Sequence, residues 1–210
     1  YLERDIPDLG PRIPADRLRR LWTMLAHLQG GLLNTATLAR NLDVDSKTAA
    51  KYLDLLVDLL LVRRLAPWHA NLGKRLVKSP KMYLRDTGIL HTLLQIPSLE
   101  ALIGHPKLGD SWEGFVIENV TARLKGLARP YFYRTAAGAE IDLILDFGSE
   151  IWAIEIKRNP APRLGKGFHL ACDDLKPARR IVVHGGNEVW RLADGTEALS
   201  LPALMEAVAR

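Results

Sequence analysis

Three carboxylates and an amine stand at alternate positions in two apolar runs. Glu140 and Asp142 lie in "AEIDLILDF", and Glu155 and Lys157 in "EIWAIEIK". Residues two apart in a strand share a face, so each pair projects from one side. Gly148 and Ser149 between the runs signal a hairpin. If the two strands pair, Asp142 and Glu155 lie side by side. Adjacent carboxylates repel, and burying them is costly without a compensating cation. A divalent ion is the usual solution, and Mg²⁺ or Mn²⁺ prefers such hard oxygen donors. The Ile156 carbonyl could add another donor. Lys157 would then position a water or stabilise a phosphoryl oxygen, next to an ion that activates the water. The plainer alternative is a half-covered sheet whose alternate acids simply face solvent.

The elements that would position this group follow from pattern. "DSWEGFVIENVTARLKG" reads as an amphipathic helix ended by Gly126, "PYFYRT" as a short strand, and the two acidic runs as strands. "RLGKGFHLACDDL" reads as a helix, "ARRIVVHGG" and "EVWRLA" as strands, and "PALMEAVAR" as a closing helix. The order is α-β-β-β-α-β before the last two elements.

That order, with Asp142 and the Glu155-x-Lys157 element, resembles the PD-(D/E)xK nuclease superfamily. The resemblance implies Asp142 and Glu155 as metal ligands and Lys157 as a catalytic amine. It also implies a helix carboxylate, for which Glu113 is the first choice and Glu118 the second. "EID" replaces the Pro-Asp pair of some members, and Glu140 is less central although it shares Asp142's face.

The front half carries a different pattern. "RLRRLWTMLAHL" places Leu18, Leu21, Trp22, Leu25 and Leu28 on one helical face. "NTATLARNL" is a short helix capped by Asn34 or Thr35, and "DVD" a tight turn. "SKTAAKYLDLLVDLLLV" is a longer helix capped by Asp45 or Ser46, with Ala50, Leu53, Leu56, Val57 and Leu60 inward. This spacing is that of a helix-turn-helix. "VRRLAPWHANLGKRLVKSPKMYLRD" adds two strands around a glycine-containing hairpin, the wing of a winged helix. A helix, Thr87 to Leu94, leads to a loop with Pro97, Gly104, Pro106 and Gly109.

Lys47, Thr48 and Lys51 lie toward the start of the longer helix, where groove contacts usually arise. Asp54 and Asp58 further along would repel phosphates. Lys74, Arg75, Lys78 and Lys81 make the hairpin basic, suited to phosphate contacts without sequence preference. A spacer or protein-docking role, with those charges merely solvated, is the alternative.

The 210 residues are 48% apolar, which supports a packed core and excludes a disordered composition. The net charge of +5 is compatible with an anionic partner without requiring one. The single cysteine, Cys172, excludes an internal disulfide and a CxxC zinc cluster, fits a reducing cytoplasm, and reads as a small core residue. No apolar run is long enough to span a bilayer, and no signal peptide is visible. A chain beginning at Tyr1 reads as a fragment or processed product.

Taken together, "YLERDIPDL", "LNTATLARNLDVDSKTAAKYLDLL", "LGKRLVKSPKMYLRDTGIL", "GDSWEGFVIENV", "FYRTAAGAEIDLIL" and "AIEIK" resemble the C-terminal part of a prokaryotic AAA-type ATPase family containing a DUF4143 domain. The resemblance implies an upstream ATPase domain. This chain has no GxxxxGK[ST] loop, so ATP would act only through a domain absent from it.

The expected fold class is α/β, α+β overall. It comprises a winged-helix domain over 1–95, a linker over 96–110 and a nuclease-like DUF4143 domain over 111–210. The expected function is a cytoplasmic, DNA-engaging ATPase module with a candidate metal-dependent nuclease site. Catalysis itself and any oligomer are left open. Two other classes stand beside it: a non-catalytic module coupling the ATPase to a partner, and a DNA-binding regulator using the winged helix alone.

Overall fold

Leu18, Leu21, Trp22 and Leu25 recur at helical spacing, and they form the buried face of α1 (Ala15–His27). The structure, a computed structural model, describes residues 13–69 and 76–209. The Asn34 carboxamide accepts the Thr37 N–H and opens α2 (Thr35–Leu42). Asp43 closes that helix in the left-handed conformation. Asp45 then caps α3 (Ser46–Asp58) by accepting the Thr48 N–H. The inward face of α3 is Ala49, Leu53 and Leu56. Leu60 was expected with them. The helix ends at Asp58, Leu60 turns to a φ of +58°, and its side chain is 65% exposed.

Strands β1 (Val62–Leu65) and β2 (Lys81–Leu84) form a two-stranded sheet. Asp86 caps α4 (Thr87–Leu93), and Ser98 caps α5 (Leu99–Ile103). Helix α5 and the start of α6 (Leu108–Leu124) occupy the stretch expected as a linker over 96–110.

The chain divides into two compact units; one division falls between Ser111 and Trp112, at the end of that expected linker, but Leu65–Pro80 goes with the second unit. One unit holds residues up to Arg64 and Lys81–Ser111, with Leu18, Leu21, Leu25, Leu42, Leu53, Leu56 and Met82 in its core. The other holds Leu65–Pro80 and Trp112–Arg210. The segment between β1 and β2 therefore belongs to the second unit. Trp68 donates its N–H to Phe132 O, Phe132 donates to Ala66 O, and Val77 donates to Arg134 O. Main-chain pairing to another strand thus takes up residues expected to form a free-standing wing.

The second unit is built on a six-stranded mixed sheet in the order β3-β4-β5-β6-β8-β7. Its strands are β3 (Arg129–Arg134), β4 (Glu140–Asp146), β5 (Ile151–Ile156), β6 (Arg179–His184), β7 (Trp190–Arg191) and β8 (Glu197–Ser200). The β3–β4, β4–β5 and β7–β8 pairs are antiparallel, while β5–β6 and β6–β8 are parallel. Helix α7 (Lys166–Leu175) links β5 to β6, and α8 (Leu201–Ala207) follows β8. The order α6-β3-β4-β5-α7-β6 is the α-β-β-β-α-β series expected from sequence. Strand β8 was not expected, and "EVWRLA" contributes only Trp190 and Arg191.

Tyr133, Ile141, Ile144, Phe168, Ala171 and Cys172 pack one core between sheet and helix. Burial pushes the Cys172 thiol up to about 12, as expected of a core residue. The whole is an α+β chain. No helix among the described residues is long and apolar enough to cross a membrane.

Candidate functional site

Strands β4 and β5 pair with Leu143 opposite Ile154, and one step further the same register sets Asp142 opposite Glu155. The Ile156 N–H donates to Asp142 Oδ2 at 2.9 Å, which fixes that carboxylate against β5. Lys157, the first residue past β5, donates its N–H to Val183 O. Its Nζ returns to Glu155 Oε1 at 2.7 Å. The hairpin thus brings Asp142, Glu155 and Lys157 together, as the alternation predicts.

Glu155 is only 8% exposed. Burial, with the Asp142 charge and a smaller push from Glu140, raises its pKa from 4.5 to about 7 against the opposing pull of Lys157. Lys157 is raised as well. Burial alone would lower it, but its hydrogen bond and attraction to Glu155, with Asp142 and Glu113 adding theirs, hold the ammonium above its ordinary 10.5. Dehydration decides the protonation of Glu155, and the surrounding acids decide that of Lys157.

Helix α6 supplies the remaining wall. The Trp112 indole N–H donates to Lys157 O at 3.2 Å, which anchors the helix beside the end of β5. Glu113 is the next residue, and its charge is among those that act on Lys157. Glu118, five residues on, points about 140° away around the helix. Trp112 was not singled out from sequence. Its place directly before the candidate Glu113 was the available signal. Glu140 pairs with Arg134 at 3.5 Å on the neighbouring strand.

The candidate nucleic-acid residues are dispersed. Lys47 and Lys51 are exposed on α3. The Thr48 hydroxyl donates to Asp45 Oδ2 at 2.6 Å, so its proton serves the helix cap. Lys78 is exposed in the second unit. Lys81 is 4% exposed within β2, so it is not a surface phosphate contact. Its charge suggested a surface contact, but all four residues of β2 are buried. Lys74 and Arg75 lie outside the described residues.

Among the described residues, no group of three or more His, Cys, Asp or Glu side chains is arranged to hold a metal ion. Asp142 and Glu155 are a pair of hard oxygen donors, with a lysine ammonium on one of them.

Comparison with known proteins divides the chain much as the pattern does. Residues 108–204 match the family model described as "Domain of unknown function (DUF4143)". Residues 1–100 match a different one, "Domain of unknown function (DUF8612)". The first of these agrees with the DUF4143 domain expected over 111–210. "Uncharacterized protein Mb2031c" of Mycobacterium bovis is 48% identical over 200 residues, covering 95% of this chain. "Uncharacterized protein Rv2008c" of Mycobacterium tuberculosis matches to the same extent. This chain spans 45% of each relative's length. No solved structure matches it.

Proposed function

We infer that the chain is a DNA-engaging module of a longer, ATPase-type protein. In this reading the first unit is a winged-helix domain and the second a PD-(D/E)xK nuclease-like domain. The observation that carries it is the packing of Asp142 and Lys157 on a dehydrated Glu155. The element order α6-β3-β4-β5-α7-β6 and the match of residues 108–204 to DUF4143 support it. So does the chain's span of less than half of its mycobacterial relatives, which leaves length for a further domain in such proteins.

Mg²⁺ or Mn²⁺ fits the donor chemistry, because Mg²⁺ keeps several waters and needs only one or two carboxylates. Asp142 and Glu155 would hold it, with Glu113 as an auxiliary carboxylate. When bound, the ion would lower the pKa of a water and polarise a phosphoryl oxygen. The Ile156 N–H orients Asp142. Lys157 places a fixed positive charge where negative charge develops on a phosphate. Trp112 holds the backbone that carries this lysine.

One observation favours a second reading. Lys157 already neutralises Glu155, and among the described residues no three-ligand cluster exists. A non-catalytic module coupling the longer protein to a partner would keep this ion pair as structure. Mn²⁺ titration with nicking of plasmid and branched DNA separates the two. The nuclease reading expects a metal-dependent rise in melting temperature and cleavage, both lost in Asp142→Asn. Metal binding untouched by Asp142→Asn removes the site assignment, and binding without cleavage favours the coupling module.

A further inference from the structure

The connection from β5 to α7, "KRNPAPRLGK", carries Lys157, Arg158, Arg163 and Lys166 and no acid. Arg158, Arg163 and Lys166 are exposed. The start of this segment is fixed. A Cβ at Gly185 would lie 2.4 Å from Arg158 O, so the Arg158 backbone sits directly on the end of β6. Asn159 accepts the Ala161 N–H, and Pro160 and Pro162 stiffen the turn. Against the same segment stands an aromatic pair on α6. Trp112 donates to Lys157 O, and the Phe115 ring stacks on Trp112 with centroids 5.9 Å apart and planes 28° from parallel. Phe115 is 42% exposed, which leaves ring surface open near the start of a segment that carries three exposed cations.

Neither half of this arrangement supports the fold in an evident way. A large aromatic side chain held half in solvent forgoes burial, and like charges spaced along one connection repel. Together they have the two parts of a single-strand platform: cations that track phosphates and an aromatic face on which an unpaired base stacks. A paired base within a duplex keeps its faces stacked on its neighbours and offers none to Phe115.

We propose that Phe115, stacked on Trp112, with Arg158, Arg163 and Lys166 forms a platform for nucleic acid with unpaired bases. This deepens the nuclease reading and rests on it. The candidate site would act on flaps, gaps or splayed junctions, not on continuous duplex, with strand selection made by stacking beside Lys157.

The test uses the whole 210-residue chain in EDTA, so that neither metal nor cleavage enters. Fluorescent oligothymidylate and a duplex of equal length are titrated at several salt concentrations. The single strand is expected to bind more tightly. Phe115→Ala should lose about tenfold in single-strand affinity with little change for duplex. Phe115→Trp, which keeps a stacking face, should restore it. Arg163→Glu with Lys166→Glu should weaken binding and flatten its salt dependence. No preference for the single strand, or an equal loss on both ligands in Phe115→Ala, overturns the platform. Duplex binding that persists under either result leaves the broader reading standing. Absence of binding to both ligands at low salt removes both, and binding of a protein partner through Phe115 would also overturn the platform.

Discussion

Asp142 is tied across the hairpin to Ile156, whose N–H donates to Asp142 Oδ2 at 2.9 Å. That bond holds a carboxylate beside the buried Glu155, and the strand register puts the two acids on one face. The resulting conflict of like charges is part of the fold whether or not a ligand is bound. It makes the site readable by measurements that need no substrate.

The first prediction concerns pH. Glu155 is raised from 4.5 to about 7, so between these values the folded state binds more protons than the unfolded state. Stability must then fall as pH rises through this window. The group's penalty is absent below about 4.5 and complete above about 7. A shift of that size corresponds to roughly 3 kcal/mol. In EDTA, the melting temperature should decline from pH 5 to pH 8, and Glu155→Gln should flatten that decline. A wild-type profile that rises through this range would contradict the assigned protonation.

The second concerns the ion pair. Lys157→Met removes the cation and leaves Glu155 between burial and the Asp142 charge. The pKa of Glu155 should climb further, so the variant should lose more stability at pH 8 than at pH 5. A double-mutant cycle with Glu155→Gln should show coupling between the two positions. Equal losses at both pH values would mean that Lys157 acts only through packing.

The placing of Asp142, Glu155 and Lys157 together was legible because its signals are local. Alternation put Asp142 and Glu155 on strand faces, Gly148 supplied the positive-φ turn at +85°, and the register followed. The caps at Asn34 and Asp45 were equally local. What escaped depends on distant partners. Nothing in "VRRLAPWHANLG" reveals that Ala66 and Trp68 pair with Phe132. Strand β8 is only four residues directly before α8, yet it lies between β6 and β7 in the sheet. Lys81 reads as a basic surface residue, but all four residues of its strand are buried.

The third prediction tests the close approach behind the site. At Gly185 a methyl group would lie 2.4 Å from the Arg158 carbonyl oxygen, a backbone atom that cannot rotate away. Gly185→Ala must therefore displace the segment that begins at Lys157. The expected cost is about 1–3 kcal/mol, as for other overpacking substitutions. Gly186→Ala is the comparison, since its nearest contacts are side-chain atoms of His184 and Pro160 at 3.1–3.2 Å. Denaturation midpoints should fall further for Gly185→Ala than for Gly186→Ala. The reverse order would place the tight contact elsewhere.

The fourth concerns α3 as a nucleic-acid contact. Lys47 and Lys51 are four apart, so they lie on one helical face near its capped start, and both are exposed. Asp54, which would repel phosphates from the same helix, is paired with Arg64. That pairing offsets its charge and leaves the lysines as the nearer field. Each phosphate contact contributes about 0.9 to the salt slope of duplex binding. Lys47→Glu with Lys51→Glu should therefore weaken binding on all sequences alike and reduce the slope by about two. Thr48→Val is the informative control. Its hydroxyl proton is held by Asp45, so the substitution should lower helix stability while leaving the salt slope unchanged. If the double charge reversal leaves duplex affinity and slope intact while the chain still binds DNA, the winged-helix face is not the contact surface.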